Sequence, residues 1–266
     1  MPLLIEFKLK AMNDGYLAPF TGGYVRGFFL ESVRKLYPGL AAELHESRGI
    51  KPYAIRPLRP INKRMNVTKG GWKIDKGDKL IFNISILSNA IESEILKAIL
   101  DVSNIAFKRI KFDVDEISVK KETFSELSAK KFEGEIKLRF VTPTCFKDPN
   151  QSFPYIFPRP DKLLLNLLKI WNTYAPIEYK LEKDVIMDAA LNSIIVREYE
   201  LKTREVNIDV GAKIVGFKGQ CTWIIIDDEA GGVISPLLAL SKYSNVGYGR
   251  TYGLGVIEVK GASADK

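Results

Sequence analysis

Residues 241–260 read SKYSNVGYGRTYGLGVIEVK, a glycine-rich loop between an apolar run typical of a helix and an alternating run typical of a strand. Glycine and asparagine accept positive φ most readily, and glycine lets a ligand approach the main chain closely. Arg250 and Tyr252 lie inside this loop. The pattern is typical of a loop that contacts a polyanion, and a tight strand entry without a ligand is the alternative. The residues concerned are Asn245, Gly247, Gly249, Gly253 and Gly255.

Two familiar phosphate-binding motifs do not fit this loop. A dinucleotide fingerprint has a strand before its glycines and a helix after them, and the order here is reversed. A P-loop ends in Gly-Lys-Ser/Thr, which residues 247–255 lack. The glycines therefore do not predict a mononucleotide or dinucleotide site.

The composition is that of a globular protein. Of 266 residues, 46% are hydrophobic and 27% are charged. The apolar runs are shorter than the roughly 20 residues of a membrane span, and the N-terminal MPLLIEFKLK lacks signal-peptide architecture. Cys145 and Cys221 both lie beside apolar residues, which predicts buried free thiols. We expect a cytoplasmic protein without a membrane partner, as a monomer or homodimer.

The positive charge is concentrated in one stretch. The net charge is +8, and no acidic residue occurs between Ser47 and Ile74, where Tyr53 and Trp72 are interleaved with the bases. A solvated face usually mixes both signs of charge, so this stretch predicts contact with nucleic acid. The RNA-binding candidates within it are Arg48, Arg56, Arg59, Lys63 and Arg64. Lys108, Arg109 and Lys111 are an extension of this basic face or a solvated strand edge.

The order of predicted elements suggests a duplicated fold. Residues 1–122 read as strand, helices, two strands, helix and strand, which is the β-α-β-β-α-β ferredoxin-like order also found in RNA-recognition modules. Its strands are predicted at Leu3–Met12, Tyr53–Ile61, Lys79–Leu87 and Ile105–Lys120, and its first helix pair is separated at Pro38.

Residues 123–266 repeat this order. Strands are predicted at Gly134–Val141, Ser193–Val210, Lys213–Asp227 and Gly255–Val259, and helices at Asp161–Trp171, Ile177–Asn192 and from Ser235 or Pro236 onward. Within the hairpin, Gly216–Gly219 (GFKG) is either a β-bulge or a second RNA contact. We therefore predict an α+β protein of two tandem ferredoxin-like (RRM-like) domains, 1–122 and 123–266.

The glycine loop and a second segment resemble one known family. Residues 245–259 read N-V-G-x5-G-L-G-V-I-E-V, which is similar to the C-terminal glycine-rich signature of the CRISPR repeat-processing endoribonucleases of the RAMP superfamily. Asn245 replaces the first glycine of that signature. A leucine-histidine pair followed by a glycine, a lysine and an aromatic strand also resembles the family's active-site region. The matching residues are Leu44, His45, Gly49, Lys51 and Tyr53.

The resemblance implies roles for these residues. His45, the one histidine in the sequence, would be the general base or acid, and Lys51 would stabilise charge on the phosphate. Family members often have a tyrosine on the preceding helix, where this sequence has Leu30. The implied activity is metal-independent cleavage of CRISPR precursor RNA within repeats, by attack of the 2′-hydroxyl. The products would be a 2′,3′-cyclic phosphate and a 5′-hydroxyl.

The absent tyrosine motivates an alternative, a non-catalytic RNA-binding RAMP protein that binds repeat RNA or joins an effector complex. Effector-complex proteins are then further candidate partners beside the CRISPR repeat RNA. The consecutive Asp227, Asp228 and Glu229 are interpreted as a solvated turn, because adjacent carboxylates do not converge on one ion. No cofactor and no metal are expected.

Overall fold

The computed structural model describes residues 1–62, 64–147, 151–209 and 212–261. Its strands are β1 Leu3–Ala11, β2 Gly15–Leu17, β3 Tyr53–Pro60, β4 Asn66–Thr68, β5 Gly71–Ile74, β6 Lys79–Ile86, β7 Asn104–Phe107, β8 Ile110–Lys121, β9 Glu135–Thr144, β10 Ile194–Asp209, β11 Ala212–Ile225 and β12 Ile257–Gly261. Its α-helices are α1 Gly22–Leu36, α2 Pro38–Glu46, α3 Glu92–Ile99, α4 Phe124–Ser128, α5 Pro160–Tyr174, α6 Lys183–Asn192 and α7 Asp228–Ser244.

The first sheet is antiparallel in the order β3-β6-β1-β8-β7. Alternate residues of β1, such as Ile5, Phe7 and Leu9, are fully buried, since successive side chains of a strand point to opposite faces. They pack with Val25, Phe29 and Val33, which share one face of α1. In chain order, β1, β3, β6 and β8 are the first to fourth strands of this unit. Without the added edge strand β7, their order across the sheet is second-third-first-fourth, which is the ferredoxin-like arrangement.

The second sheet has the order β10-β11-β9-β12, which is the same second-third-first-fourth arrangement. Leu163, Leu167 and Trp171 of α5 pack on its core together with Ile234 and Leu238 of α7. The prediction of two tandem ferredoxin-like units is confirmed.

The proposed boundary at residues 122/123 stays a prediction. Phe124 and Leu127 of α4 are buried in the core of the second sheet, as are Leu4 and Leu87 from the first half of the chain. The two cores therefore meet through side chains that come from both sides of this boundary.

Three details of the predicted elements are wrong. The last helix begins at Asp228, well before Ser235, because the Asp227 carboxylate caps it by accepting the Glu229 N–H at 3.1 Å. The carboxylates predicted as a free turn thus form the cap and first turn of α7. Pro236 lies inside this helix.

The predicted helix Ile177–Asn192 is a short 3₁₀ turn followed by α6. The residues between this turn and α6 are held against α5, because the Asn172 amide donates to the Leu181 carbonyl at 2.8 Å and accepts its N–H at 3.0 Å. A small sheet β2-β5-β4 was not predicted, and its strands β4 and β5 lie in the basic stretch.

Two local predictions about β11 and the cysteines are confirmed. Gly219 has φ +141° beside a register shift between β11 and β9, so GFKG contains a β-bulge, and its contact with RNA stays a prediction. Cys145 and Cys221 are free and buried, and burial raises the pKa of each thiol to about 11.

Candidate active site

His45 lies near the end of α2, and Lys51 lies at the end of the short connector, residues 47–51, that follows this helix. The Lys51 ammonium turns back and donates a hydrogen bond to the His45 backbone carbonyl at 2.9 Å. The imidazole of His45 is exposed to solvent and Lys51 is half-buried. The pair predicted from the sequence is therefore brought together through the main chain, and the imidazole is left accessible to a substrate.

The pKa of Lys51 is below the ordinary lysine value. Partial burial is the main cause, and the positive charge of Arg26 on α1 adds to it. The carboxylate of Glu46 opposes both effects. The ammonium thus lies in a site with excess positive charge, which favours an anionic ligand.

Arg250 of the glycine loop is buried against this connector, with 8% of its surface exposed. Its guanidinium donates to the carbonyls of Ser244 at 2.8 Å and Lys51 at 3.1 Å. Burial lowers its pKa to about 10, which leaves it charged at neutral pH. Its side chain is thus occupied by protein carbonyls, and the predicted contact between Arg250 and RNA stays a prediction.

A second side chain from the C-terminal half holds the same connector. The Tyr174 hydroxyl, at the end of α5, donates to the Ile50 carbonyl. Burial raises the pKa of Tyr174 to about 12, which keeps it protonated as a donor. The residues before and at Lys51 are therefore fixed by Tyr174 and Arg250, both of which belong to the second ferredoxin-like unit.

Asn245 joins the glycine loop to the first unit. It is fully buried with φ +54°, and its amide donates to the Ile55 carbonyl on β3 at 2.8 Å and to the Leu254 carbonyl at 3.2 Å. Its ψ of −177° places it outside the left-handed helical region and close to one found almost only for glycine, and the hydrogen bonds of its side chain, which glycine lacks, stabilise it there. This explains why Asn245 can replace the first glycine of the family signature.

The four loop glycines are required by the protein itself. Each has positive φ, and a Cβ would collide with neighbouring protein atoms. At Gly247 it would lie 2.3 Å from the Cys145 carbonyl oxygen, and at Gly255 it would lie 1.7 Å from that of Val246. At Gly249 and Gly253 it would lie 2.6 Å from side-chain carbons. Tight packing therefore accounts for these glycines, and their predicted contact with RNA is untested.

Arg26 is a site residue that the sequence analysis missed, and Tyr252 was named there only as a residue of the glycine loop. The Arg26 guanidinium lies 4.5 Å from the centroid of the Tyr252 ring, and both residues are half-buried. The Arg26 Nε has no hydrogen-bond partner. Arg26 belongs to no motif, so only its electrostatic proximity to Lys51 reveals it, whereas Tyr252 could have been suspected from its place in the glycine loop.

The basic candidates are not gathered at one point. Arg48, Arg59 and Arg64 are exposed, and Arg59 is eight residues along from Lys51, which is roughly 26 Å of extended strand. Arg56 donates to the Lys242 carbonyl on α7 at 2.5 Å, and burial lowers its pKa. Lys63 lies outside the described residues. Among the described basic candidates, Arg48 alone lies within the His45–Lys51 segment. Contact of the basic candidates with RNA remains a prediction.

Comparison with known proteins shows what this chain is similar to. Residues 138–257, which include the glycine loop, match the model of the CRISPR-associated endoribonuclease Cas6 family. Over these residues the chain is similar to the Cas6 family. The resemblance to the CRISPR repeat-processing endoribonucleases is thereby confirmed. The His45–Lys51 segment lies outside the matched residues.

Solved Cas6 structures share the fold along the whole chain. A Cas6 product complex is 19% identical with a TM-score of 0.77, covering 98% of this chain and 100% of that one. Thermus thermophilus Cas6 is 19% identical with a TM-score of 0.71 and 98% coverage of both chains. A Cas6-related protein from Pyrococcus furiosus is 16% identical with a TM-score of 0.61, covering 98% and 99%. A comparison with curated protein sequences gives no match.

The described residues contain neither a candidate membrane span nor a candidate metal cluster. No helix among them is both long and apolar enough to cross a membrane. No group of three or more histidine, cysteine, aspartate or glutamate residues in that part of the chain is arranged to hold a metal ion.

Proposed function

We propose that this protein is a metal-independent endoribonuclease that cleaves CRISPR precursor RNA within its repeats. The observation that carries the proposal is the contact between the glycine loop, which matches the Cas6 family, and Lys51 beside His45. The ribose 2′-hydroxyl attacks the adjacent phosphorus, the bond to the 5′-oxygen breaks, and that oxygen takes up a proton. A 2′,3′-cyclic phosphate and a 5′-hydroxyl result.

The proposed residues supply what this reaction needs. His45 acts as general base or general acid, a contribution of about 10²–10⁴-fold when the group is well positioned. Lys51 stabilises the charge that develops on the phosphate, and Arg26, which already lowers the pKa of Lys51, adds a second positive charge nearby. The substrate provides the nucleophile, so no step requires a metal.

Arg250 and Tyr174 act as positioning residues in this proposal. Both donate to carbonyls of the connector that carries Lys51, at Lys51 itself and at Ile50. They hold the ammonium and the end of α2 at a fixed spacing. In this proposal the glycine loop positions the Lys51 backbone through Arg250 and does not supply a reacting group.

A second function is favoured by one observation. The half-buried Leu30 occupies the position where Cas6-type active sites often carry a tyrosine. A non-catalytic RNA-binding protein in an effector complex would need no such group. It would bind repeat RNA with strong salt dependence and would leave the RNA intact.

The deciding experiment is cleavage of a labelled repeat RNA by excess protein in EDTA. Parallel substrates carry one 2′-deoxyribose at each position in turn. His45→Ala is compared with Glu43→Ala, a change at an exposed residue on the same helix. We expect cleavage in EDTA that one deoxy substitution abolishes, that His45→Ala slows at least 100-fold, and that Glu43→Ala leaves unchanged.

Other outcomes separate the alternatives. Tight binding with intact RNA would establish the non-catalytic function. Cleavage that stops in EDTA would contradict metal independence. Cleavage that His45→Ala does not slow would keep the endoribonuclease and assign the proton transfers to other groups.

A further inference from the structure

A cleft of about 600 Å³ lies beside the glycine loop, on the side of the second unit. Its apolar wall comes from Ile214 and Val215 of β11 and from Pro154 and Ile156. Tyr248 of the glycine loop lines it as well. Neither His45 nor Lys51 is among its lining residues, so the cleft is separate from the candidate active site.

Two aromatic rings of this cleft are open to solvent. Phe153 is 81% exposed and Tyr248 is 40% exposed. Phe146 exchanges hydrogen bonds of 2.9 and 2.8 Å with Tyr155, which is two residues after Phe153, and the Tyr248 N–H donates to the Cys145 carbonyl at 2.8 Å. Because Phe153 is so exposed, its ring does not contribute to the core.

The rim of the cleft is positively charged. The Lys147 ammonium lies 3.8 Å from the centroid of the Tyr248 ring, and Lys213 lines the opposite side. Lys213 is paired with Glu205 at 2.8 Å, so its charge is partly offset. No acidic residue is among the described residues that line the cleft.

We propose that this cleft binds one unpaired nucleobase of the RNA, with its phosphate beside Lys147. Stacking on exposed aromatic rings next to lysines is how proteins hold single-stranded nucleic acid with little sequence preference. An acidic peptide would suit Lys147 but would not use the ring of Phe153, and an apolar peptide would not bring an anionic group to Lys147. The site rests on the proposed RNA substrate and identifies a contact outside the scissile bond.

The test uses a fluorescein-labelled uridine decamer, with a second version carrying 4-thiouridine at one position. Binding is measured for the wild type, Phe153→Ala and the control Ile177→Ala, which removes another highly exposed apolar side chain at 83% exposure. We expect Phe153→Ala to raise the Kd about tenfold, as for loss of one stacked base. Ile177→Ala should leave it unchanged.

Photo-crosslinking of the thiouridine decamer then locates the base. We expect the crosslink in the peptide that carries Phe153 or in the glycine loop at Tyr248. A Kd for Phe153→Ala within twofold of the wild type, together with crosslinks elsewhere, would overturn the proposal. Because Phe153 is exposed, an unchanged melting temperature verifies that the variant folds.

Cleavage of repeat RNA by the same proteins keeps the two proposals apart. Cleavage by the wild type with no crosslink in the cleft would overturn the base site and leave the endoribonuclease standing. A cleft crosslink without cleavage would overturn the endoribonuclease and leave the base site standing.

Discussion

Arg250 and Lys51 are 199 residues apart in the sequence, and the guanidinium of the first donates to the backbone carbonyl of the second at 3.1 Å. The Lys51 side chain in turn donates to the His45 carbonyl at 2.9 Å. The glycine loop of the second unit is thus connected to the end of α2 in the first unit by two successive hydrogen bonds. Four predictions follow from this connection and from the packing of the loop.

The variant Arg250→Lys should lower the cleavage rate more than the affinity for RNA. Lysine keeps the charge but lacks the planar fork that reaches both Ser244 and Lys51. Misplacement of a reacting group by about 1 Å can cost on the order of 100-fold in rate. Single-turnover cleavage and the Kd at several salt concentrations measure the two effects. If Arg250 instead contacts phosphate, the variant Arg250→Gln, which removes the charge, should raise the Kd and lower its salt slope by about one.

Removing the Tyr174 hydroxyl should loosen the same connector. Tyr174→Phe loses the hydrogen bond to the Ile50 carbonyl, which we expect to cost about 1 kcal/mol in the free energy of unfolding. The cleavage rate should fall several-fold because Lys51 is next in sequence to Ile50. Tyr199→Phe is the control, since Tyr199 is 61% exposed. Equal stability and rate in both variants, measured by urea denaturation and single-turnover cleavage, would contradict the positioning role.

The loop glycines should be needed for folding even without RNA. At Gly255 alanine would have φ +70° and a Cβ 1.7 Å from the Val246 carbonyl oxygen. We expect Gly255→Ala to lower the free energy of unfolding by more than about 3 kcal/mol, the upper end for an unfavourable backbone region alone. Gly232→Ala in α7 is the matched control, because no atom lies within 4 Å of its added Cβ. It should stabilise the protein by roughly 0.5–1 kcal/mol through helix propensity.

These two glycine variants are compared by denaturant unfolding in the absence of RNA. If the glycines serve only for close approach of RNA, Gly255→Ala would unfold like the wild type and lose affinity alone. That result would contradict the packing explanation.

The pH dependence of cleavage should report the environment of Lys51. If its ammonium stabilises the phosphate, activity falls as pH rises through its lowered pKa. Arg26→Gln removes a charge that lowers this pKa, so the alkaline limb of the pH–rate profile should move to higher pH. Glu46→Gln removes a charge that raises it, so the limb should move to lower pH. Arg34→Gln, at an exposed arginine paired with Glu31, is the control for α1.

Shifts of the alkaline limb in these opposite directions would identify Lys51 as the titrating group. A limb that stays in place in both variants would assign the alkaline loss of activity to another residue. The absolute rate of Arg26→Gln is a separate observable, and a fall in it would support the second positive charge proposed beside the phosphate.

Local patterns were enough for much of the fold. Alternation in β1 and helical spacing in α1 each reflect a face that must be buried, so the elements could be read from neighbouring residues. Where a boundary depended on a particular side-chain hydrogen bond, the prediction was wrong. The residues after the 3₁₀ turn at Ile177 are held by Asn172 of another helix, and α7 begins where Asp227 supplies a cap.

The sequence by itself determined the doubled ferredoxin-like order, the glycine signature, and the proximity of His45 to Lys51, because each depends on periodicity or on short spacing along the chain. The tertiary structure alone decided that Arg250 and Asn245 turn inward to protein carbonyls and that Arg26 and Tyr252 join the site. These contacts join residues about 190 or more positions apart. Local sequence patterns do not indicate which distant carbonyl or ring a side chain will contact.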